Sequence, residues 1–238
     1  MKIAVVGAAG RLGSAIVRLG GEETAPVRRG DDLAAAVRAA SAVIDVSHHS
    51  LTGALVDAAL AAGRGLVIGT TGHPEAELAR LREASAKIPV LLAPNFSVGV
   101  TLLGFLAQKA AEVLRDYDQE IVEMHHRHKK DAPSGTARRL AEVLCAVKGK
   151  PYAALVRDGR SGETGARTAD EIGLHALRGG DVIGDHTVVF AGEGERIELT
   201  HKASTRDTFA VGALRAARWI AGKPPGWYGM EDALGLKI

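Results

Sequence analysis

The chain has 238 residues, 46% of them hydrophobic, with 30 lysines and arginines against 28 aspartates and glutamates. That length suits one large domain or two modest ones with a sizeable core, and the even charge excludes a general nucleic-acid or membrane-surface binder, whose basic excess would run across a whole domain. The single cysteine, Cys145, excludes an internal disulfide; in the apolar run LAEVLCAV it reads as a small buried hydrophobe, and a reducing, cytoplasmic setting is expected.

The opening MKIAVVGAAG has the charge and apolar run of a very short signal peptide, but it reaches glycine within a few residues and reads as a first strand. No segment approaches the roughly 20 apolar residues of a membrane span. Short β-branched runs recur at 2–7 (KIAVVG), 41–47 (SAVIDVS), 64–70 (RGLVIGT) and 87–93 (KIPVLLA). Stretches of helical spacing, LTGALVDAALAAG and HPEAELARLREASA, separate the last three. A weaker strand is expected at 24–29 (TAPVRR), then a short helix in DDLAAAVRAA. Continuous apolar strands alternating with helices are the pattern of a parallel sheet covered on both faces. This half is predicted to be α/β, a Rossmann-type doubly wound sheet.

The rhythm changes after Asn95. A helix is predicted over GVTLLGFLAQKAAEVLRD, a period-two strand over DQEIVEMHH, and a second helix from Ser134 through ARRLAEVLCAVKG. The polar stretch RDGRSGETGARTADEIG reads as one long loop, mobile or functional. LHALRGGDVIGDHTVVFAGEGERIELTHKA then holds three strand-like runs split by Gly-Gly-Asp and Gly-Glu-Gly turns. Strands in tandem predict a second α/β domain with a mixed, largely antiparallel sheet. A last helix, RDTFAVGALRAARWIAG, stops at Gly222 and Pro224.

The first strand leads directly into Gly7-Ala8-Ala9-Gly10-Arg11-Leu12-Gly13 and an apolar helix. Glycines there let the backbone approach a pyrophosphate, whose charge meets the N–H groups of the helix start. Ala9 and Leu12 break the strict G-x-G-x-x-G spacing, yet the strand before and the helix after point to a dinucleotide site; the alternative is a tight turn with no ligand. After the second strand, arginine accepts a 2′-phosphate where an acidic residue would hold a 2′-hydroxyl. Arg28 and Arg29 stand there, ahead of Asp31 and Asp32, and favour NADPH; the alternative is two solvated arginines. GTTG (69–72) and APNFS (93–97) leave other strand ends, where ligands of open parallel sheets sit, and Asn95 has the groups to hydrogen-bond a carboxamide. His48 and His49 in SHHS are read as loop residues of the same crevice, with no chemistry assigned.

HHRHKKDAPSGT, residues 125–136, packs three histidines, one arginine and two lysines into six positions of a chain that is nearly neutral overall. So local a charge points to a small anionic ligand. Strand alternation would set His126, His128 and Lys130 on one side and His125, Arg127 and Lys129 on the other. Ser134 reads as an N-cap, so Gly135 and Thr136 present backbone donors beside the cations, a pocket for carboxylate or phosphate. Histidine adds a proton exchanged near neutral pH. A metal at His125, His126 and His128 is disfavoured by Arg127 and Lys129 and by the lack of an acidic cluster, and nucleic acid by the scarcity of aromatics. A solvated basic loop is the plain alternative.

Together VVGAAGRLG, VIGTTG, APNFSVGV, EIVEMHHRHKKDAPSGTA, RGGDVIGDHTVVFAGEGERIELTHKAS and TFAVGALRAARW resemble, in order and over nearly the whole chain, the 4-hydroxy-tetrahydrodipicolinate (dihydrodipicolinate) reductase family of diaminopimelate and lysine biosynthesis. Residues 123–137 are specific to that family, whereas the glycine loop is shared with many dehydrogenases. The resemblance implies an NAD(P)H-dependent, metal-free, homotetrameric reductase of a small dicarboxylate. It implies a dinucleotide domain at 1–96 completed by 206–238, and a substrate and oligomerisation domain at 97–205. It implies that His125 is the general acid/base and Lys129 its proton-donating or charge-stabilising partner, with His126, Gly135 and Thr136 holding carboxylates. Gly7, Ala8, Ala9, Gly10, Arg11, Leu12, Gly69, Thr70, Thr71, Ala93, Pro94, Asn95 and Phe96 would touch the cofactor. Hydride would pass from C4 of NADPH to C4 of the substrate ring with loss of water, and the resulting enamine would take a proton at C3.

The chain departs from the family pattern in two places. Longer members often have an acidic residue followed by arginine where Arg28-Arg29 stands, which leaves NADH open beside NADPH, and Pro94 replaces a common alanine. Two rivals are another NAD(P)H-dependent reductase of a small carboxylated imine and a non-catalytic NADPH sensor; the histidine–lysine cluster counts against both.

Overall fold

The computed structural model describes residues 1–236. They divide into two units, one of Met1–Val98 with the chain from Asp207 onward, the other of Gly99–Arg206.

The first unit contains β1 (Ile3–Val6), α1 (Arg11–Gly20), β2 (Thr24–Val27), α2 (Leu33–Ala39), β3 (Ala42–Asp45), α3 (Thr52–Ala62), β4 (Gly65–Ile68), α4 (Glu75–Ser85) and β5 (Pro89–Leu92). Every residue of β1, β3 and β4 is buried, which is why these runs are continuously apolar instead of alternating. Ile3 and Val5 face one side of the sheet with α1, while Ala4 and Val6 face the other with α2, α3 and α4.

In the second unit lie α5 (Val98–Val113), whose first residue belongs to the other unit, β6 (Asp118–His125), α6 (Gly135–Lys148), α7 (Tyr152–Leu155), β7 (Val156–Asp158), β8 (Ile172–Arg178), β9 (Gly184–Ala191) and β10 (Arg196–Ala203). Its sheet runs β10-β9-β6-β8-β7. It is mixed, as expected, with antiparallel pairing the more extensive: β10–β9 and β9–β6 are antiparallel, β6–β8 and the short β8–β7 parallel. The parallel pair comes from the crossover through α6, which returns the chain to run beside β6 in the same direction. Ile121, Val188 and Phe190 pack against Leu103 of α5 and Leu140 and Leu144 of α6, and Cys145 is buried among them. The polar loop before β8 is less free than its composition suggests. Arg160 reaches Glu120 at 2.7 Å and Glu171 at 2.5 Å, and Arg167 pairs with Asp118, so two arginines fasten it to β6.

The chain then returns to the first unit with α8 (Asp207–Ile220), β11 (Gly226–Tyr228) and α9 (Met230–Leu234). The first sheet becomes six-stranded and wholly parallel, in the order β11-β5-β4-β3-β1-β2. The α8 face is built of small residues, Ala210, Gly212, Ala213, Ala216 and Ala217, all buried on the side of α1. That smallness is required: a Cβ on Gly212 would stand 1.7 Å from the carbonyl oxygen of Phe96. Gly212→Ala must therefore push α8 away from the loop that follows β5, and a loss of about 2 kcal/mol in unfolding free energy is expected from overpacking, measurable by urea denaturation; full stability would refute so tight a seat.

Candidate active site

Two groups of predicted residues are assembled, one in each unit. In the first, Gly7 follows β1 with φ +85°, and a Cβ there would lie 2.6 Å from the Val46 carbonyl oxygen. A Cβ on Gly13 would lie 2.1 Å from the Gly7 oxygen. Gly10 opens α1 without a side-chain cap, so the first-turn N–H groups are left to a ligand or solvent. A cleft of about 580 Å³ is lined by Gly7, Ala8, Ala9, Gly10, Arg28 and Arg29, with Ser47 and His48 after β3. That volume lies within the usual range for cofactor sites.

Arg28 and Arg29 are exposed and pair with no carboxylate among the described residues. The nearby acids are engaged in the loop itself: Asp31 accepts the Arg28 N–H at 2.7 Å and Asp32 caps α2 by accepting the Ala35 N–H at 2.9 Å. A glycine cradle, an uncapped helix start and two unpaired guanidiniums fit a dinucleotide phosphate backbone.

The remaining cofactor candidates divide. Arg11 and Leu12 sit in the first turn of α1 outside the cleft lining, and Leu12 packs on the core. Gly69, Thr70 and Thr71 follow β4, and Ala93, Pro94, Asn95 and Phe96 follow β5, all at the carboxyl edge of the same sheet. Asn95 Oδ1 accepts the Ser97 N–H at 2.8 Å, and the Phe96 ring fills the space where Gly69 would carry a Cβ. His49 does not line the cleft; it pairs with Glu77 at 3.1 Å. Asp45, fully buried at the end of β3, accepts from the Ser47 N–H and the Thr70 hydroxyl and so ties two of these loops together. Burial holds its pKa above the usual carboxylate range despite those donors.

In the second unit the period-two pattern of β6 turns Gln119, Ile121, Glu123 and His125 inward. The strand ends at His125, so the alternation expected for 126–130 does not exist. Its partner β8 stops at Arg178, and the ladder closes in a turn where Gly179 N–H donates to the His125 carbonyl and Arg127 N–H to that of Gly180. His126 and Lys129 lie in this turn, joined by the Lys129 N–H to His126 O bond, and the chain then enters α6 at Gly135 and Thr136. Ser134 is the N-cap as expected, accepting the Ala137 N–H at 3.2 Å. The Lys129 ammonium lies 2.9 Å from the exposed Asp131 carboxylate, and His126 Nε2 lies 3.4 Å from Arg206.

Behind these residues lies a buried polar layer. Glu123, with no exposed surface, accepts from His125 Nδ1 at 2.5 Å, from the Ser134 N–H at 3.0 Å, and from both terminal nitrogens of Arg178 at 2.9 and 3.0 Å. Burial alone would raise its pKa, but Arg178, His125 and the Ser134 N–H outweigh it and hold the carboxyl ionised. For His125, burial pushes the pKa down, Glu123 pulls it up, and Lys129 and Arg178 add to the downward side, which prevails. The ring of His186 stands edge-on to that of His125, centroids 5.2 Å apart, and shares a 3.2 Å hydrogen bond with the Ser134 hydroxyl. Sequence reading passes over Glu123, Arg178 and His186; only Glu123 gave a signal, being two residues before His125 on the same face of a strand.

Comparison with known proteins decides the family. Residues 1–96 match the model for the dihydrodipicolinate reductase N-terminus and residues 99–234 that for its C-terminus. This chain belongs to the dihydrodipicolinate reductase family. The 4-hydroxy-tetrahydrodipicolinate reductase of Akkermansia muciniphila is 50% identical over 242 residues, covering 99% of this chain and 98% of that protein. A protein of the same name from Anaeromyxobacter dehalogenans is 46% identical over 265 residues, with coverage of 99% and 98%. The dipicolinate-bound dihydrodipicolinate reductase from Paenisporosarcina, 23% identical, shares the fold with a TM-score of 0.80 over 98% of each chain. The family makes this an oxidoreductase that uses a nicotinamide cofactor.

Burial gives this polar layer an acid sensitivity. It pushes the His186 pKa from 6.5 down to about 4, with the charge of His125 acting in the same direction. The unfolded chain therefore binds the extra proton first, and the folded state weakens as pH falls from 6.5 to 4, by at most about 3 kcal/mol. Urea denaturation across that window should show the loss, and His186→Gln should flatten its slope; an equal slope in the variant would clear His186 of the effect.

Proposed function

We propose that the chain reduces 4-hydroxy-tetrahydrodipicolinate to tetrahydrodipicolinate in diaminopimelate and lysine biosynthesis, with NADPH preferred to NADH. The observation that carries this reading is a buried histidine at the end of β6 whose Nε2 has no partner among the described residues, set next to the cation-rich turn that leads into α6. One hydride and one proton enter and one water leaves. The bound nicotinamide supplies the hydride; the protons fall to the protein. His125 exchanges the proton through Nε2. His126 and the backbone of Gly135 and Thr136 hold the substrate carboxylates, aided by the positive end of the α6 dipole. Lys129 gives up an exposed ion pair, worth at most about 1 kcal/mol, when a substrate carboxylate replaces Asp131. Orientation by two carboxylates supplies much of the rate.

Arg28 and Arg29 carry the NADPH preference, as unpaired cations on the wall of the cleft. No metal takes part in this reading. A homotetramer is supported by the bare face of the second sheet, where Val122, Met124 and Val189 lie only partly covered and Leu177 stands 48% exposed. A cytoplasmic setting accords with a buried, unpaired Cys145; no described helix is long and apolar enough to cross a membrane.

Loss of NADPH absorbance, with substrate formed in situ from pyruvate and aspartate semialdehyde, tests the whole reading. Oxidation that requires both precursors is expected; a folded protein that binds NADPH without turnover would favour a sensor. His125→Gln should lower kcat by about 10²-fold or more with NADPH binding intact, and an unchanged kcat would remove the acid/base role. Arg28→Ala with Arg29→Ala should raise the KM for NADPH about tenfold while leaving that for NADH within twofold; equal effects on both would sever the arginines from the 2′-phosphate.

A further inference from the structure

We propose that Glu123 is a positioning residue for the reaction: its single carboxylate selects which nitrogen of His125 exchanges the proton and fixes the start of α6 in the same stroke. The inference rests on the acid/base role given to His125 and adds a residue to which no function has been attached.

Period two places Glu123 and His125 on the same buried face of β6, one pleat apart, and the carboxylate meets the ring at Nδ1. Four donors converge on its two oxygens: Nδ1 of His125 and Nη1 of Arg178 on Oε2, the Ser134 N–H and Nη2 of Arg178 on Oε1. An ionised carboxylate only accepts, so Nδ1 must carry the proton, and in the neutral ring Nε2 is the bare nitrogen. Nε2 points toward Gly184 on β9, where even a Cβ would come within 3.0 Å of it. The nitrogen freed by the tautomer is thus the one that the neighbouring strand leaves uncovered.

The second half of the role runs through Ser134. Its N–H is held by Oε1 while its hydroxyl caps α6 and meets His186. Proton site and anion cradle are therefore referenced to the same two oxygens. Around His125 stand Glu123 on its own strand, Lys129 in the turn, Arg178 from β8 and His186 from β9, with His201 of β10 beyond His186. Of these only Glu123 favours the charged imidazole. Removing its charge must shift the pH limb that belongs to His125 to lower values.

The first test needs no variant. In protein labelled with ¹⁵N at histidine, His125 should show a protonated Nδ1 and a bare Nε2 at neutral pH; the reverse tautomer overturns the proposal. In the second, Glu123→Gln should lower kcat by about 10²-fold, leave the KM for NADPH within twofold and move the His125 limb of the kcat profile to lower pH, while Glu123→Asp recovers part of the rate. A Glu123→Gln enzyme with wild-type kcat and an unmoved profile also overturns it, with the reductase reading intact. A wild-type protein that shows the expected tautomer yet turns over no substrate would instead bring down the function proposed for the site. Should Glu123→Gln fail to fold, the wild-type spectrum and the Asp variant decide.

Discussion

A carboxylate sealed from water is stable as an ion only if donors replace the water it has lost, and the second unit is arranged to meet that demand at Glu123. Arg178 arrives from β8 with a two-pronged guanidinium, α6 contributes a backbone N–H, and His125 contributes its ring. Breaking one partner of such a buried ion pair typically costs 3–5 kcal/mol, roughly, because the other is left charged and unmatched. The register of β6 on β8 is therefore held by electrostatics as well as by the backbone ladder. Slippage by one residue would swing Glu123 outward and leave Arg178 alone.

The first unit solves its problem by other means. Its cleft owes its form to absences: no Cβ at Gly7 or Gly13, no side-chain cap at Gly10, and, among the described residues, no carboxylate on Arg28 or Arg29. Backbone donors and a helix dipole are indifferent to pH, as suits a site that grips phosphate groups. The second unit places its charge on titratable side chains, as suits one that moves protons. In the proposed function the two halves of the chain divide the labour of a reduction along that line.

What the sequence discloses follows from the range of the forces involved. Strands β1, β3 and β4 are legible because burial on both faces demands unbroken apolar runs, and α6 because Ser134 announces it. Three-residue β7 and β11 are too short to carry a period. The mixed character of the second sheet is legible from its tandem strands, but which strand lies beside which is not, because that is set by the crossover and not by the strand residues themselves. His125, His126 and Lys129 stand out as a cluster, and the resemblance assigns them roles. Their supports do not, since Arg178 lies 55 residues from Glu123 and His186 lies 52 from Ser134. The alternation extended through 126–130 failed for a related reason: a strand lasts only as long as its partner, and the end of β8 is written elsewhere.

Gly184 gives the arrangement a last consequence. It lies within β9 and is not among the glycines of positive φ, so its backbone could accept any residue. What it lacks is a lid. A methyl group there would make no demand on the backbone of the sheet, yet would stand 3.0 Å from His125 Nε2, the nitrogen to which the proposed proton exchange is assigned. Survival of the fold and survival of the chemistry thus make different demands on one atom's worth of space, and a library sorted for folded protein alone would retain enzymes whose keyhole has been filled.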